Sequence, residues 1–550
     1  MAEIRTREEL NKLDKSVLVT MILSLQEQVD RINANLENLI EQIRLADQQR
    51  YGRKTEKSNC LYEQLSFFNE AEQLSENAPD EPTAEEVLPK NPPKKPKTKG
   101  KRNKDLEGLP SEDHYHSLSD EKLDEIYGAG NWRRMKEETY KRLQYTPASW
   151  VVEIHHVDVA VGTDGLHQDE FTRGDRPKDL LRNSLVTHSL GAAILNAKYV
   201  NSIPYNRIEE HFKRIGINIS RQNMADWTIK FAQRYLFVIW DKMKEELLKY
   251  PVNQADETPV IVLNDGREVI ANSYMWVHRS GEFYTDRPIV LYEYQKTRHH
   301  KHPEEFYRDY KGILVTDGLQ QYHMLEDLLP GLTSANCWAH ARRDFSDALK
   351  ALGTKDKKAN AQTIAGQALA KIGTFFKIEE ELKTLSAEAR LRERRKRIKP
   401  LVDEYFEWVK SILANRDVLL KGKTAKGLNY SVNQEKYLRV FLENGDVPLH
   451  NSASERCIRT FCVGKKNWVL IDSIKGAQAS AVIYSLSETA KLNNLNPYYY
   501  FDYLLSELPK YLTYDAKTDT VDTSKLNEAT LKELLPWSPQ AKAKCYNGRH

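Results

Sequence analysis

Residues 253–295, NQADETPVIVLNDGREVIANSYMWVHRSGEFYTDRPIVLYEYQ, alternate apolar with polar side chains or run apolar, and are broken by Asp-Gly at 265–266 and Ser-Gly at 280–281. Period-two alternation rich in β-branched and aromatic residues, with glycine turns between the runs, predicts three consecutive strands. A fourth, GILVTDG, follows a short helical segment and ends at Asp317. Asp256 then lies in the first strand and Asp317 at the tip of the fourth. Neighbouring strands of one sheet would bring these two carboxylates within a few ångströms of each other. An aspartate beside glycine or threonine is more often a turn or cap residue, so the pair gains meaning only with a third acid.

That acid is sought in residues 449–491, LHNSASERCIRTFCVGKKNWVLIDSIKGAQASAVIYSLSETAK. Glu455 stands at the start of a predicted helix, with Arg456 and Arg459 beside it and Lys465 and Lys466 downstream. A carboxylate among cations suits a metal site that handles phosphates, but a magnesium ion takes one or two carboxylates and keeps several waters, so one glutamate is not enough. Asp256, Asp317 and Glu455 together could hold two Mg2+ ions about 4 Å apart, with Mn2+ as the alternative, for in-line attack on a phosphodiester. Glu257 follows Asp256 in a strand and would point to the opposite face. Glu488, in SLSETAKL, is the rival to Glu455.

The span between Asp317 and Glu455 exceeds what a sheet-to-helix connection needs, and about 338–445 read as a helical insertion. Its RLRERRKRIK run concentrates cations on a helix, and Arg394, Arg395 and Arg397 are expected to contact DNA. Cys337 and His340 have half the spacing of a zinc site and no second half nearby, and His155 and His156 have no cysteine near them. No zinc is expected.

Upstream, Leu18, Ile22, Leu25, Val29, Ile32, Leu36, Leu39 and Ile43 recur in steps of four and three, the 3.5-residue period of a coiled-coil seam. Self-association through residues 16–48 follows, within a dimerisation region at 1–58. Residues 59–110 form a linker that ends in the basic, Pro-rich KNPPKKPKTKGKRNK. Residues 111–170 read as a small mixed domain. Residues 171–250 read as helical: Pro204 starts one helix, Gly216 ends it and Ser220 caps the next, so that Arg221, Gln222 and Asn223 sit where a helix-turn-helix reads bases. The catalytic region is 251–495, and 496–550 is a helical tail.

The chain has 550 residues, 40% apolar and 29% charged, with a net charge of +3, so it is long enough for several domains. No apolar run reaches the roughly 18 residues of a membrane span, and the start lacks a signal-peptide core. Five scattered cysteines fit reduced thiols in the cytoplasm.

The strings QADETPV, VTDGLQQY, CWAHARRDF, HNSASERCIRTFCVGKKNW and IYSLSETAKLNNLNP, in that order, resemble the transposases of the insertion sequence 66 family, which belong to the Asp-Asp-Glu transposases. The likeness extends to YGRKTEKS and to LLPW near the carboxyl end. It implies an α/β fold, a ribonuclease H-like mixed sheet with a helical insertion, preceded by the coiled coil and a helical DNA-binding region. It also implies that Asp256, Asp317 and Glu455 are the catalytic acids, and that His340 and Arg343 of CWAHARRDF lie near the phosphates. The implied activity is metal-dependent cleavage of mobile-element ends followed by attack of the freed 3′-hydroxyl on target DNA. Its partners would be DNA, a second copy of the chain, and small accessory proteins of the same element. Two departures stand out. Residues 111–170 contain no cysteine where members usually carry a zinc-binding segment, and His450 replaces the usual acid before the pair Asn451 and Ser452. The alternatives are a ribonuclease H-like nuclease without strand transfer and an inactive DNA-binding remnant. A tyrosine recombinase is disfavoured because Tyr498, Tyr499 and Tyr500 read as packing.

Overall fold

The structure is a computed structural model that describes residues 14–26 and 28–29, single positions at 32, 36, 121, 154 and 156, two short strands at 159–161 and 171–173, and residues 179–546 except 183, 268–270, 353–356, 416–417 and 419. Most of the expected coiled coil, the linker and nearly all of the 111–170 domain lie outside the described residues. Two compact units are present. One takes in residues 92–179, where β1 (Val159–Val161) pairs antiparallel with β2 (Phe171–Arg173). The other contains everything described below.

Residues 15–26 form helix α1. Its seam positions Ile22 and Leu25, and Val29, Ile32 and Leu36 beyond it, are each more than half exposed.

The main sheet has the order β5-β4-β3-β6-β7, built from β3 (Val252–Asn264), β4 (Asn272–Ser280), β5 (Val290–Gln295), β6 (Gly312–Thr316) and β7 (Leu332–Asn336). The β3–β4 and β4–β5 pairs are antiparallel, and β3–β6 and β6–β7 are parallel. A further short strand, β8 (Ile471–Ser473), runs parallel to the far end of β3. The four strands predicted from sequence are β3 to β6.

Helices cover both faces, so the strands are buried on both sides and alternate residues feed different cores. Ala255, Met275, Val277 and Leu314 belong to the larger core, together with the helices on either side of the catalytic region. Val252, Val315 and Ala335 join a second core made by the insertion. That insertion comprises α8 (Trp338–Leu352), α9 (Ile364–Leu382), α10 (Ala387–Glu393), α11 (Lys399–Ala414) and α12 (Gly422–Asn433), with α6 (Lys301–Phe306) and α7 (Gln320–Leu328) lying earlier, between the strands. Trp338 anchors the insertion, fully buried among Phe375, Tyr405, Phe406 and Phe441, with its indole N–H on the Leu438 carbonyl at 2.8 Å.

The helical region before the sheet consists of α2 (His188–Leu195), α3 (Tyr205–Arg214), α4 (Arg221–Phe231) and α5 (Phe237–Leu247). Gly216 has a φ of +82° after α3, and the Ser220 hydroxyl caps α4 by accepting from the Asn223 amide, as the sequence signals imply. Ile208, Phe212, Met224, Trp227 and Phe231 share one core with the sheet. These helices therefore pack as part of the same body as the main sheet.

Two long helices follow the insertion, α13 (Ser452–Trp468) and α14 (Ile474–Leu492), then α15 (Pro497–Tyr511). α14 closes the β5 edge of the sheet. The Tyr292 amide donates to the Ser485 hydroxyl at 2.7 Å and the Val290 amide to the Thr489 hydroxyl at 3.0 Å, one helical turn apart. Two hydroxyls at i and i+4 thus take donors that would otherwise leave an open edge. The expected all-helical tail is corrected: after α15 the chain forms an antiparallel hairpin, β9 (Thr513–Asp515) with β10 (Thr520–Asp522), before two short helices, because Thr, Tyr and Val there favour strand.

Candidate active site

Strand register sets the first two acids. Gln254 of β3 is level with Val315 of β6, so two residues further along each strand Asp256 is level with Asp317, just past the end of β6. Adjacent strands lie about 4.8 Å apart, so both carboxylates open onto one end of the sheet. Asp317 is turned by Gly318, whose φ is +88°. A Cβ at Gly318 would meet the Tyr430 hydroxyl at 2.5 Å and the Asn336 amide at 2.7 Å, so this position is restricted to glycine on two counts. The Asp317 carboxylate accepts from the Leu319 amide at 3.2 Å, and the Asp317 carbonyl accepts from the Tyr430 hydroxyl at 3.1 Å.

The third acid arrives through α13, which lies along an open stretch of β3. β3 pairs with β6 through residues 252–254 and with β8 at 262–264. Between these, two side chains of the α13 segment supply donors to β3 carbonyls. Asn451, fully buried at the head of the helix, donates through its carboxamide to the Ala255 carbonyl at 2.9 Å and accepts from the Gln254 side-chain carboxamide at 3.1 Å. Lys465, near the other end, donates to the Pro259 carbonyl at 2.9 Å. Pro259 has no N–H to offer a neighbouring strand, which suits it to this position. The Asn451 amide also donates to Cys337 Sγ at 3.1 Å, tying the helix start to the end of β7. Glu455, one turn into α13 and 6% exposed, is thereby carried to the Asp256 end of β3.

The electrostatics couple the three acids. Burial pushes the Asp256 carboxyl well above its ordinary range, and the charges of Asp317, Glu257 and Glu455 push it further. The Glu257 amide, donating to Asp256 at 2.8 Å, opposes them. Glu257 faces the other side, where Arg298 holds its Oε1 at 2.5 Å and the Tyr322 hydroxyl its Oε2 at 2.6 Å. Glu488, the rival acid, is engaged by Lys491 at 2.6 Å and Thr460 at 3.4 Å. Among the described residues, no three His, Cys, Asp or Glu side chains stand ready-made around a metal position. The donor set nevertheless fits a hard divalent cation. Its ligands are carboxylate oxygens, which suit Mg2+ or Mn2+, and the mutual repulsion at Asp256 is what a bound cation would relieve.

His340 Nδ1 lies 3.9 Å from Glu455 Oε1, and burial together with the Arg343 charge lowers its pKa to about 3. His340 is therefore a neutral imidazole beside the acids. Arg343 is half-buried on the same helix. The Cys337 thiol, pushed up to about 12 by burial, stays protonated and packs in the core.

The proposed DNA-contact residues divide. Arg456, Arg459 and Lys466 are exposed along one face of α13, with Arg456 bridging Glu282 at 3.1 Å. Arg221 and Asn223 are exposed at the start of α4. Two expectations are corrected. Lys465 is only 4% exposed and is committed to β3. Arg394 is fully buried, paired with Glu379 and donating to the carbonyls of Phe441 and Asn444. The basic run thus turns inward in part, because a guanidinium can satisfy several loop carbonyls at once. Arg390 does the same, with Gly445 at 2.7 Å and Leu385 at 2.7 Å. Arg395 remains exposed, and Arg397 is half-exposed and bridged to Glu381 at 2.5 Å. The sequence reading missed Asn451 as a positioning residue. Its signal was an asparagine immediately before a predicted helix, the ordinary look of a cap.

Compared with known families, residues 183–479 match the model described as Transposase IS66 family. The chain belongs to the IS66 transposase family. The matched span contains Asp256, Asp317 and Glu455. A second model, described as Transposase C of IS166 homeodomain, matches residues 38–113, outside the described residues. Curated relatives of this IS66-family chain include three from Sinorhizobium fredii (strain NBRC 101917 / NGR234). Uncharacterized protein y4hP is 27% identical over 362 residues, covering 64% of this chain and 61% of the relative. Uncharacterized protein y4jD is 24% identical, covering 66% and 68%. Uncharacterized protein y4qI is 27% identical, covering 60% and 61%. The IS66-family chain thus aligns with about 61% of the length of y4hP. No described helix is long and apolar enough to cross a membrane.

Proposed function

We propose that this chain is a DNA transposase in which Asp256, Asp317 and Glu455 hold two divalent ions, Mg2+ or Mn2+, over a ribonuclease H-like core. The observation that carries the reading is the convergence of the three acids: strand register levels Asp256 with Asp317, and Asn451 brings Glu455 to the same end of β3. The strand order, with three antiparallel strands continued by two parallel ones, agrees with a ribonuclease H-like sheet. Bound there, the metal ions would activate the attacking water or 3′-hydroxyl and stabilise the leaving oxygen.

The chain's own residues do the rest. In this reading Asp256, Asp317 and Glu455 share one space, the charges of the latter two being felt at Asp256. Arg298 neutralises Glu257, so that this fourth acid faces away from it. His340 stays uncharged beside Glu455 and adds no competing cation. Arg456, Arg459 and Lys466 offer an exposed cationic stripe to a phosphate backbone leading to the acids. The exposed apolar positions of α1 and its continuation supply a surface for a second copy, which holding two DNA ends requires. Small accessory proteins of the same element remain part of this reading.

The test is a joining assay. Duplexes ending in the element's terminal sequence with a free 3′-hydroxyl are incubated with plasmid and Mg2+. Covalent joining supports the transposase. Nicking of intact ends without joining would reduce it to a nuclease, and neither activity would leave a DNA-binding remnant.

A further inference from the structure

A cavity of about 420 Å3 opens between the loop after β5 and the first turns of α7, lined by Arg298, His299, His300, Gln320, Gln321 and Met324. Arg298 pairs with Glu257 there, so the cavity lies on the Glu257 side of β3, within reach of the Asp317 charge. Gln320 is the third residue after Asp317, and the Arg298 guanidinium feels the Asp317 charge as well as that of Glu257. Resting on the transposase reading, we propose that this cavity takes one unpaired nucleobase from the DNA strand that runs past the acids.

The lining chemistry selects a base over a phosphate. The Arg298 charge is already matched by Glu257, with Nε at 2.6 Å and Nη2 at 2.5 Å from Oε1, so the one permanent cation of the cavity has its counter-ion. What remains is planar or apolar. Gln320 and Gln321 carry carboxamides that can donate and accept at once, the pairing chemistry that reads a base edge. His299 and His300 stand with ring centroids 4.2 Å apart and offer flat faces. Met324, 37% exposed, lies one turn after the glutamines on the same helical face and presents a polarisable thioether. The cavity falls within the size range of small-ligand sites and holds a nucleobase. Stacking of this kind tolerates any base, while the glutamines add preference.

Electrostatics separate the two DNA-facing surfaces. The α13 stripe meets backbone charge, and the α7 cavity meets a base. A nucleotide unstacked there is pinned next to Asp317, which fixes the neighbouring phosphate relative to the acids.

The test uses the full chain in EDTA, with a short duplex carrying one bulged 2-aminopurine and the same duplex with an abasic bulge. The wild type is expected to bind the base-containing bulge about tenfold more tightly than the abasic one, the size of one base-stacking contact. Binding should also change the 2-aminopurine fluorescence. Gln321→Ala and His300→Ala, both at half-buried residues of the cavity wall, should lose the preference while binding the abasic duplex as the wild type does. Arg459→Ala should weaken both duplexes equally. The cavity proposal is overturned if the wild type binds both duplexes alike, or if both cavity variants keep the preference. Failure of the wild type to bind either duplex overturns the transposase reading, and this proposal with it.

Discussion

The carboxamide of Asn451, four residues before Glu455, donates at 2.9 Å to the carbonyl of Ala255, one residue before Asp256. One side chain therefore joins the strand that carries the first acid to the helix that carries the third. Asn451→Ala removes that bond and the one from Gln254, leaving buried groups unpaired at a cost of about 1–3 kcal/mol. Urea unfolding should register this loss. Strand cleavage should fall by at least about tenfold even at temperatures where the variant is folded, since a misplacement of about 1 Å is enough for that. Full activity in a destabilised Asn451→Ala protein would remove Asn451 from the positioning of the acids.

The two neighbouring lysines of α13 should behave differently. Lys466 is exposed, and Lys466→Ala should leave stability unchanged while lowering the salt slope of DNA binding by about one. Lys465 is buried on the Pro259 carbonyl, so Lys465→Ala should lower the denaturation midpoint and leave the salt slope alone. Binding titrations across a salt series, paired with denaturation curves, separate the two.

A similar contrast applies to the basic run of the insertion. Arg394→Ala breaks a buried pair with Glu379 and strands two carbonyl acceptors, and it should cost about 3–5 kcal/mol. Arg395→Ala, at an exposed position, should stay within about 0.5 kcal/mol of the wild type.

His340 gives a pH signature. Its folded-state pKa of about 3 lies below the unfolded value of about 6.5, so only the unfolded chain takes up a proton between them. The stability tied to the neutral imidazole is fully present above about pH 6.5 and is lost as pH falls toward 3. His340→Gln should therefore flatten the acid side of the stability curve. Parallel acid limbs for variant and wild type would contradict a neutral buried His340.

Much of the fold was legible because its signals are local. The alternation at 253–295, the Gly318 turn after Asp317, and the Pro204, Gly216 and Ser220 punctuation each act within a few residues, and each corresponds to an element of the structure. The convergence of Asp256 with Asp317 was foreseeable from strand adjacency. What sequence could not convey was burial decided by tertiary partners. Lys465 and Lys466 are identical in type and adjacent, yet only the first meets an open strand edge. Arg394 and Arg395 differ in burial: Arg394 takes Glu379 and the carbonyls of Phe441 and Asn444 at 2.9 and 3.0 Å, whereas Arg395 reaches only the Leu442 carbonyl, at 3.5 Å, and stays exposed. The role of Asn451 was not legible because its acceptor lies nearly two hundred residues earlier, at Ala255.

The central claim, that Asp256, Asp317 and Glu455 form one metal site, is tested most directly by counting bound Mn2+ by electron paramagnetic resonance. The full chain should bind about two ions in the absence of DNA or in its presence. Asp256→Asn, Asp317→Asn and Glu455→Gln should each lose at least one ion, and Glu488→Gln should bind as the wild type does. Undiminished Mn2+ binding by Glu455→Gln, with loss in Glu488→Gln, would contradict the account.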